Sequence, residues 1–199
     1  MSGRDEDRAL AGAQSFLRVC KLRQRASSEL LARGRAARVL AASKPGGLLL
    51  NVEAPELSFF LADGMDIASQ LISVIRDAAV HATLKELLRD DIRISVHAQH
   101  PGEFLGDVRD HRFDLMIFGE LEPPVARLAA AILAPGGLLA IFRNGAHGDT
   151  DGEELEQSLT DCGLLISPGA GRSLLAAHAP DHRRAKRRGG RRKRPPFRG

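Results

Sequence analysis

The stretch from Phe113 to Asn144, FDLMIFGELEPPVARLAAAILAPGGLLAIFRN, restricts the possible folds more than any other part of the chain. Phe113 to Phe118 is a short apolar run broken only by Asp114, the pattern of a strand buried on both faces. Two acids and the pair Pro123-Pro124 end it, and proline is tolerated in the first turn of a helix because the N–H it lacks has no partner there. Val125 to Leu133 is rich in alanine and leucine and predicts a helix. Pro135-Gly136-Gly137 stops that helix and turns the chain. Leu138 to Phe142 is a second apolar strand. A strand–helix–strand unit this compact implies a parallel sheet with helices on its faces.

The same alternation continues on both sides. Strands are predicted over Leu48–Val52, Gln70–Arg76 and Ile92–Ala98, with helices over Glu56–Ala62 and Ala78–Arg89 and a helical turn over Glu103–Val108. After the central unit, Glu153–Cys162 reads as a helix closed by Gly163. Leu164–Ile166 and Ser173–Ala177 read as a hairpin around Pro168-Gly169-Ala170-Gly171. Two helices precede the sheet, one over Arg8–Arg25 and one over Leu30–Ala42 with an arginine-rich face. Met1–Asp7 and the chain from His182 onward are predicted to be loose. The predicted fold is α/β, a Rossmann-like doubly wound sheet with a C-terminal antiparallel hairpin, N-terminal helices and a disordered basic tail. The predicted divisions are 1–40 for the helical segment, 41–180 for the sheet domain and 181–199 for the tail. Ligands of such sheets bind beyond the carboxyl ends of the strands, so the residues to inspect follow each strand.

Charge is distributed unevenly. Residues 181–199 hold ten Lys/Arg and one acid, residues 1–40 nine and four, and residues 41–180 ten and twenty. An acidic centre thus carries two basic ends, and such blocks usually serve interaction rather than folding. In the tail, Arg183, Arg184, Lys186, Arg187, Arg188, Arg191, Arg192, Lys193 and Arg194 predict contact with RNA or another polyanion through phosphate charge. An address signal, an anionic membrane or a solubilising end would use the same composition. The tail's one aromatic, Phe197, leaves stacking a minor role. No run of eighteen apolar residues occurs, the first residues are polar, and Cys20 and Cys162 lack metal-ligand or disulfide spacing. The expectation is a cytoplasmic protein with reduced thiols and no transmembrane segment.

FDLMIFGE, LAPGGLLAIF and the preceding GEFLGDVRDHRFD, in this order and spacing, resemble the class I S-adenosylmethionine-dependent methyltransferases. The nearest branch is the cation-dependent O-methyltransferases of the caffeoyl-CoA type, and the resemblance spans Leu40 to Ala179. It implies a seven-stranded sheet with S-adenosylmethionine across the carboxyl ends of the strands. Where the family reads roughly DLGCGTGELS after its first strand, this chain reads LLNVEAPELS, so Asn51, Glu53 and Pro55 stand in the glycine places. Glycine serves there because the backbone must approach the methionine part of the cofactor.

The resemblance implies further substitutions. The acid that binds the ribose hydroxyls corresponds to Ile75, with Asp77 two residues on as a substitute. The acid near the adenine amine corresponds to His100. The branch's metal aspartate corresponds to Gly119, and its Asp-Asn pair to Phe142-Arg143 or Arg143-Asn144, so no metal site is predicted. Asn51, Glu53, Asp77 and His100 are therefore the candidate cofactor residues, and Glu120 is the candidate catalytic residue. Glu120 and Glu122 also suit the bland role of loop acids before a helix. His97, His100 and His111 read as loop or surface histidines, and the two cysteines as packing residues. Two functions follow. One is a methyltransferase with a divergent cofactor site, working by proximity and orientation. The other is a non-catalytic module of the same fold, a pseudoenzyme binding RNA or a ribonucleoprotein through its basic ends.

Overall fold

The structure is a computed structural model that describes residues 3–22, 26–142, 149–167 and 174–180. The basic tail, the loop after Ser167, Arg143 and Asn144 lie outside the described residues.

Seven strands form one sheet: β1 (Leu48–Val52), β2 (Gln70–Ile75), β3 (Ile94–Ala98), β4 (Phe113–Phe118), β5 (Leu133–Phe142), β6 (Leu165–Ile166) and β7 (Leu174–His178). Their order is β3-β2-β1-β4-β5-β7-β6. The first five run parallel, and β7 is antiparallel to both β5 and β6. The predicted hairpin is present, with its second strand seated against the parallel sheet and its first at the edge. The strand order reverses between β1 and β4, which puts the expected ligand crevice at their carboxyl ends.

The helices are α1 (Gly3–Val19), α2 (Ser27–Ala42), α3 (Ser58–Gly64), α4 (Ala78–Leu87), α5 (Pro101–Asp107), α6 (Pro123–Ile132) and α7 (Asp149–Asp161). Alternate strand residues feed two cores. Leu49, Leu71, Ile75, Leu115 and Ile117 pack with α1 to α4, while Leu50, Val52, Val74, Met116 and Phe118 pack with α5, α6 and α7. Gly34 of α2 lets that helix lie directly on α3, where a Cβ would stand 2.4 Å from the buried ring of Phe60.

Three details anchor the strand ends. Asp114 accepts the Leu48 N–H at 3.0 Å and ties the start of β1 to β4, a structural role. Arg93 pairs with Asp91 and donates to the carbonyls of Ala62, Met65 and Asp66, satisfying the open end of α3. Lys44 donates to the Gly136 carbonyl at 2.9 Å.

Some boundaries differ from expectation. The first helix starts at Gly3 and ends at Val19 rather than running to Arg25. Lys21 adopts a left-handed φ of 53°, and Leu22 and Lys21 donate back to Leu17 and Arg18. This caps the helix early with the bonding of a Schellman motif. The helix over Glu56–Ala62 is instead a 3₁₀ turn at Pro55–Leu57 followed by α3. Helix α6 stops at Ile132, and Leu133 already pairs with Phe113. Pro135-Gly136-Gly137 is then an irregularity inside β5, where Gly136 takes a φ of 75°.

The arginine-rich face of α2 is largely neutralised from within. Arg35 pairs with Glu6, Arg38 with Asp63 at 2.8 Å, and Arg33 lies 5.3 Å over the Phe142 ring and donates to its carbonyl. Among the described residues, no helix is long and apolar enough to cross a membrane.

Candidate ligand cleft at the strand ends

The parallel strands end on one side of the sheet in a cleft of about 480 Å³, within the size range of small-molecule sites. Its walls are Glu53, Arg76, Asp77, His100, Pro101, Glu120, Glu122 and Val125. Each comes from the segment just beyond β1, β2, β3 or β4, the last from the first turn of α6. Four of the five residues expected at a cofactor site, Glu53, Asp77, His100 and Glu120, thus meet in one place.

Glu53 is the most unusual of them. Its φ of 53° keeps the left-handed conformation that favours glycine, although it carries a side chain. Its backbone is pinned on two sides. The Glu53 N–H donates to Val74 at 3.0 Å, and its carbonyl lies so near Gly119 that a Cβ there would come within 2.2 Å of the oxygen. Gly119, the position of a metal aspartate in the resembling branch, is therefore needed as glycine for this close approach. The Glu53 carboxylate reaches over to the end of β2 and accepts the Arg76 N–H at 2.8 Å, with the Arg76 guanidinium 3.9 Å away. Burial pushes this carboxyl above the usual range. The Arg76 N–H and charge pull it back, and the negative charge of Glu120 adds to the rise.

Asp77 and His100 each do a second job. Asp77 caps α4 through one carboxylate oxygen, accepting from Ala79 N–H at 2.8 Å and Val80 N–H at 2.9 Å. His100 caps α5, its Nδ1 accepting the Gly102 N–H at 3.2 Å. Glu120 is exposed at the mouth of the cleft.

Asn51, expected among the cofactor residues, does not line the cleft. It faces the other side of β1, where it is 1 % exposed. Its Nδ2 donates to the Ala54 carbonyl and to Ser58 Oγ, both at 2.8 Å, and Ser58 Oγ lies 2.9 Å from Ser73 Oγ. The physical reason is strand alternation: Asn51 pairs in register with Ser73, and both point toward α3. Pro55 is likewise buried, at the start of the 3₁₀ turn. Of the three residues in glycine places, only Glu53 reaches the cleft.

Arg76 is the charged cleft residue that sequence reasoning passed over. The usable signal was its position immediately after β2, where this fold presents ligand groups. His97 sits against the Phe104 ring, and burial lowers its pKa. His111 stacks on Phe113. Among the described residues, no three His, Cys, Asp or Glu side chains converge in a way that could hold a metal ion.

Several solved structures sharing this architecture are methyltransferases. A methyltransferase from Geobacter sulfurreducens superposes with a TM-score of 0.62 at 19% identity, covering 86% of this chain and 88% of its own. An O-methyltransferase from Bacillus cereus in complex with SAH gives 0.64 at 11% identity, covering 85% and 90%. The O-methyltransferase TomG from Streptomyces achromogenes, in complex with SAM, gives 0.63 at 14% identity, covering 86% and 89%. The chain has the methyltransferase fold. No protein-family profile matches its sequence, and no curated protein does.

The first loop of this methyltransferase-fold protein is a poor fit for the methionine end of S-adenosylmethionine. Where the family offers open backbone, this chain holds a carboxylate already bonded to Arg76 N–H, with Glu120 adding further negative charge nearby. A ligand carboxylate brought there would meet like charge in a partly desolvated setting.

Proposed function

We propose that this protein is a non-catalytic module of the methyltransferase fold that binds RNA through its C-terminal basic tail. The observation that carries the non-catalytic part is Glu53. It stands in a glycine place, lines the cleft and bonds across it to the end of β2. Asp77 and His100 fit the same reading, because both are engaged as helix caps.

The charge pattern supports the RNA-binding part. Nine of the residues from Arg183 to Arg194 are Lys or Arg, while residues 41–180 carry twice as many acids as bases. The arginines of α2 have intramolecular partners, which leaves the tail as the better candidate for phosphate contact. Ala179 bonds Gly136 and Gly137 at the amino-terminal end of β5, on the side of the sheet opposite the cleft. Free Cys20 and Cys162 suit a reducing, cytoplasmic setting.

The experiment is removal of residues 182–199, with single-stranded RNA affinity measured against salt. The full chain should bind with a log–log salt slope of up to about −6 if all nine basic residues engage phosphates. The truncated chain should lose most of that binding. Equal binding by both chains would refute the assignment to the tail.

A second reading, a divergent S-adenosylmethionine-dependent methyltransferase with Glu120 at the acceptor side, rests on the retained cleft at the strand ends. It requires Glu53 to yield to the cofactor.

A further inference from the structure

We infer that the Glu53 side chain blocks the methionine end of this cleft to carboxylate-bearing nucleosides, and that glycine in its place opens that end to S-adenosylmethionine. The inference deepens the non-catalytic reading above and rests on it.

The block is local. Asn51 and Pro55, the other departures from glycine in this loop, are buried away from the cleft and meet nothing that enters it. The backbone that carries Glu53 is already shaped for glycine, with its φ of 53°. That backbone is held independently of the side chain, by the Glu53 N–H to Val74, the Gly119 N–H to Val52 at 2.9 Å, and the contact of Gly119 with the Glu53 carbonyl. Removing the side chain therefore leaves the loop in place. It also removes the negative charge that a ligand carboxylate would face. Finally, it frees the Arg76 N–H, now satisfied by Glu53 Oε1, as a donor at the end of β2 beside the Arg76 guanidinium. One substitution thus turns a filled, acidic position into an open one with a donor and a cation. The block has two separable parts, bulk and charge, so Glu53→Gln should remove the charge and keep most of the bulk.

The test uses three full-length proteins, the natural chain, E53G and E53Q, titrated by calorimetry with S-adenosylmethionine, S-adenosylhomocysteine and 5′-methylthioadenosine. The last has the nucleoside and thioether without the amino-acid carboxylate and ammonium. Circular dichroism and thermal melting establish that each variant is folded. E53G should bind both carboxylate ligands at least about tenfold more tightly than the natural chain, with E53Q between them. Methylthioadenosine should distinguish the three proteins far less. A folded E53G that binds S-adenosylmethionine no better than the natural chain overturns the inference. If none of the three binds it, the inference falls and the non-catalytic reading stands. If the natural chain binds it as tightly as E53G, both fall. An E53G that does not fold would also count against the inference, because the loop backbone would then depend on the side chain.

Discussion

Asn51 provides a sharp test of how the loop after β1 is built. Its amide donates to the Ala54 carbonyl and to Ser58 Oγ in a site that is 1 % exposed, while its Oδ1 has no hydrogen-bond partner. Truncation in Asn51→Ala loses two bonds worth about 1 kcal/mol each, while the Ala54 carbonyl keeps its bond from the Leu57 N–H and Ser58 Oγ keeps Ser73 Oγ as a partner. It also relieves the orphaned Oδ1, by about 1 kcal/mol, so the net loss should be about 1 kcal/mol. Asn51→Asp keeps the shape and reverses the polarity. A carboxylate oxygen would face the Ala54 carbonyl in a buried site, and an uncompensated buried charge costs about 3–5 kcal/mol. The carboxyl would respond by holding its proton to higher pH. With its folded-state pKa raised, N51D should be least stable near neutral pH and recover as pH falls through that value. Urea unfolding at neutral and mildly acidic pH gives the numbers. The reasoning fails if N51D is as stable as the natural chain at neutral pH, or if it loses less than N51A there.

Other consequences are open to measurement. Gly34→Ala puts a methyl 2.4 Å from the Phe60 ring between α2 and α3, and overpacking of this kind should cost about 1–3 kcal/mol in urea unfolding. Unchanged stability would mean that α2 is not held against α3 as described. Burial raises the Glu53 carboxyl above its ordinary value, so the stability it contributes is present at acidic pH and is lost as pH rises through the folded-state value. Glu53→Gln should therefore be more stable than the natural chain near neutral pH, and the gap in melting temperature should close on acidification. A gap that widens on acidification would contradict that sign.

The legible parts of the sequence were those governed by local pattern. Leu48–Val52 and Phe113–Phe118 are apolar runs between turn residues, and both strands have the predicted bounds. The cleft residues were accessible for a related reason, since the fold puts ligand groups just past each parallel strand. Long-range pairings were not legible. The α2 arginines read as a basic face because their partners, Glu6 and Asp63, lie 29 and 25 residues away from Arg35 and Arg38 in the chain. The orientation of Asn51 depends on Ser58 and Ser73, which only the strand register brings alongside. That Glu53 bonds to Arg76 likewise follows from the pairing of β1 with β2, which no single segment encodes.

The most direct test of the central claim is the thermal stability of the natural chain with and without millimolar S-adenosylmethionine, in the presence and absence of magnesium. A ligand at 100 times its dissociation constant stabilises a protein by about 2.7 kcal/mol, which a melting curve resolves easily. With Glu53 in the cleft, the melting temperature should not move and calorimetry should register no binding heat. A clear upward shift with saturable heat would contradict the account and restore the protein to the cofactor-using methyltransferases.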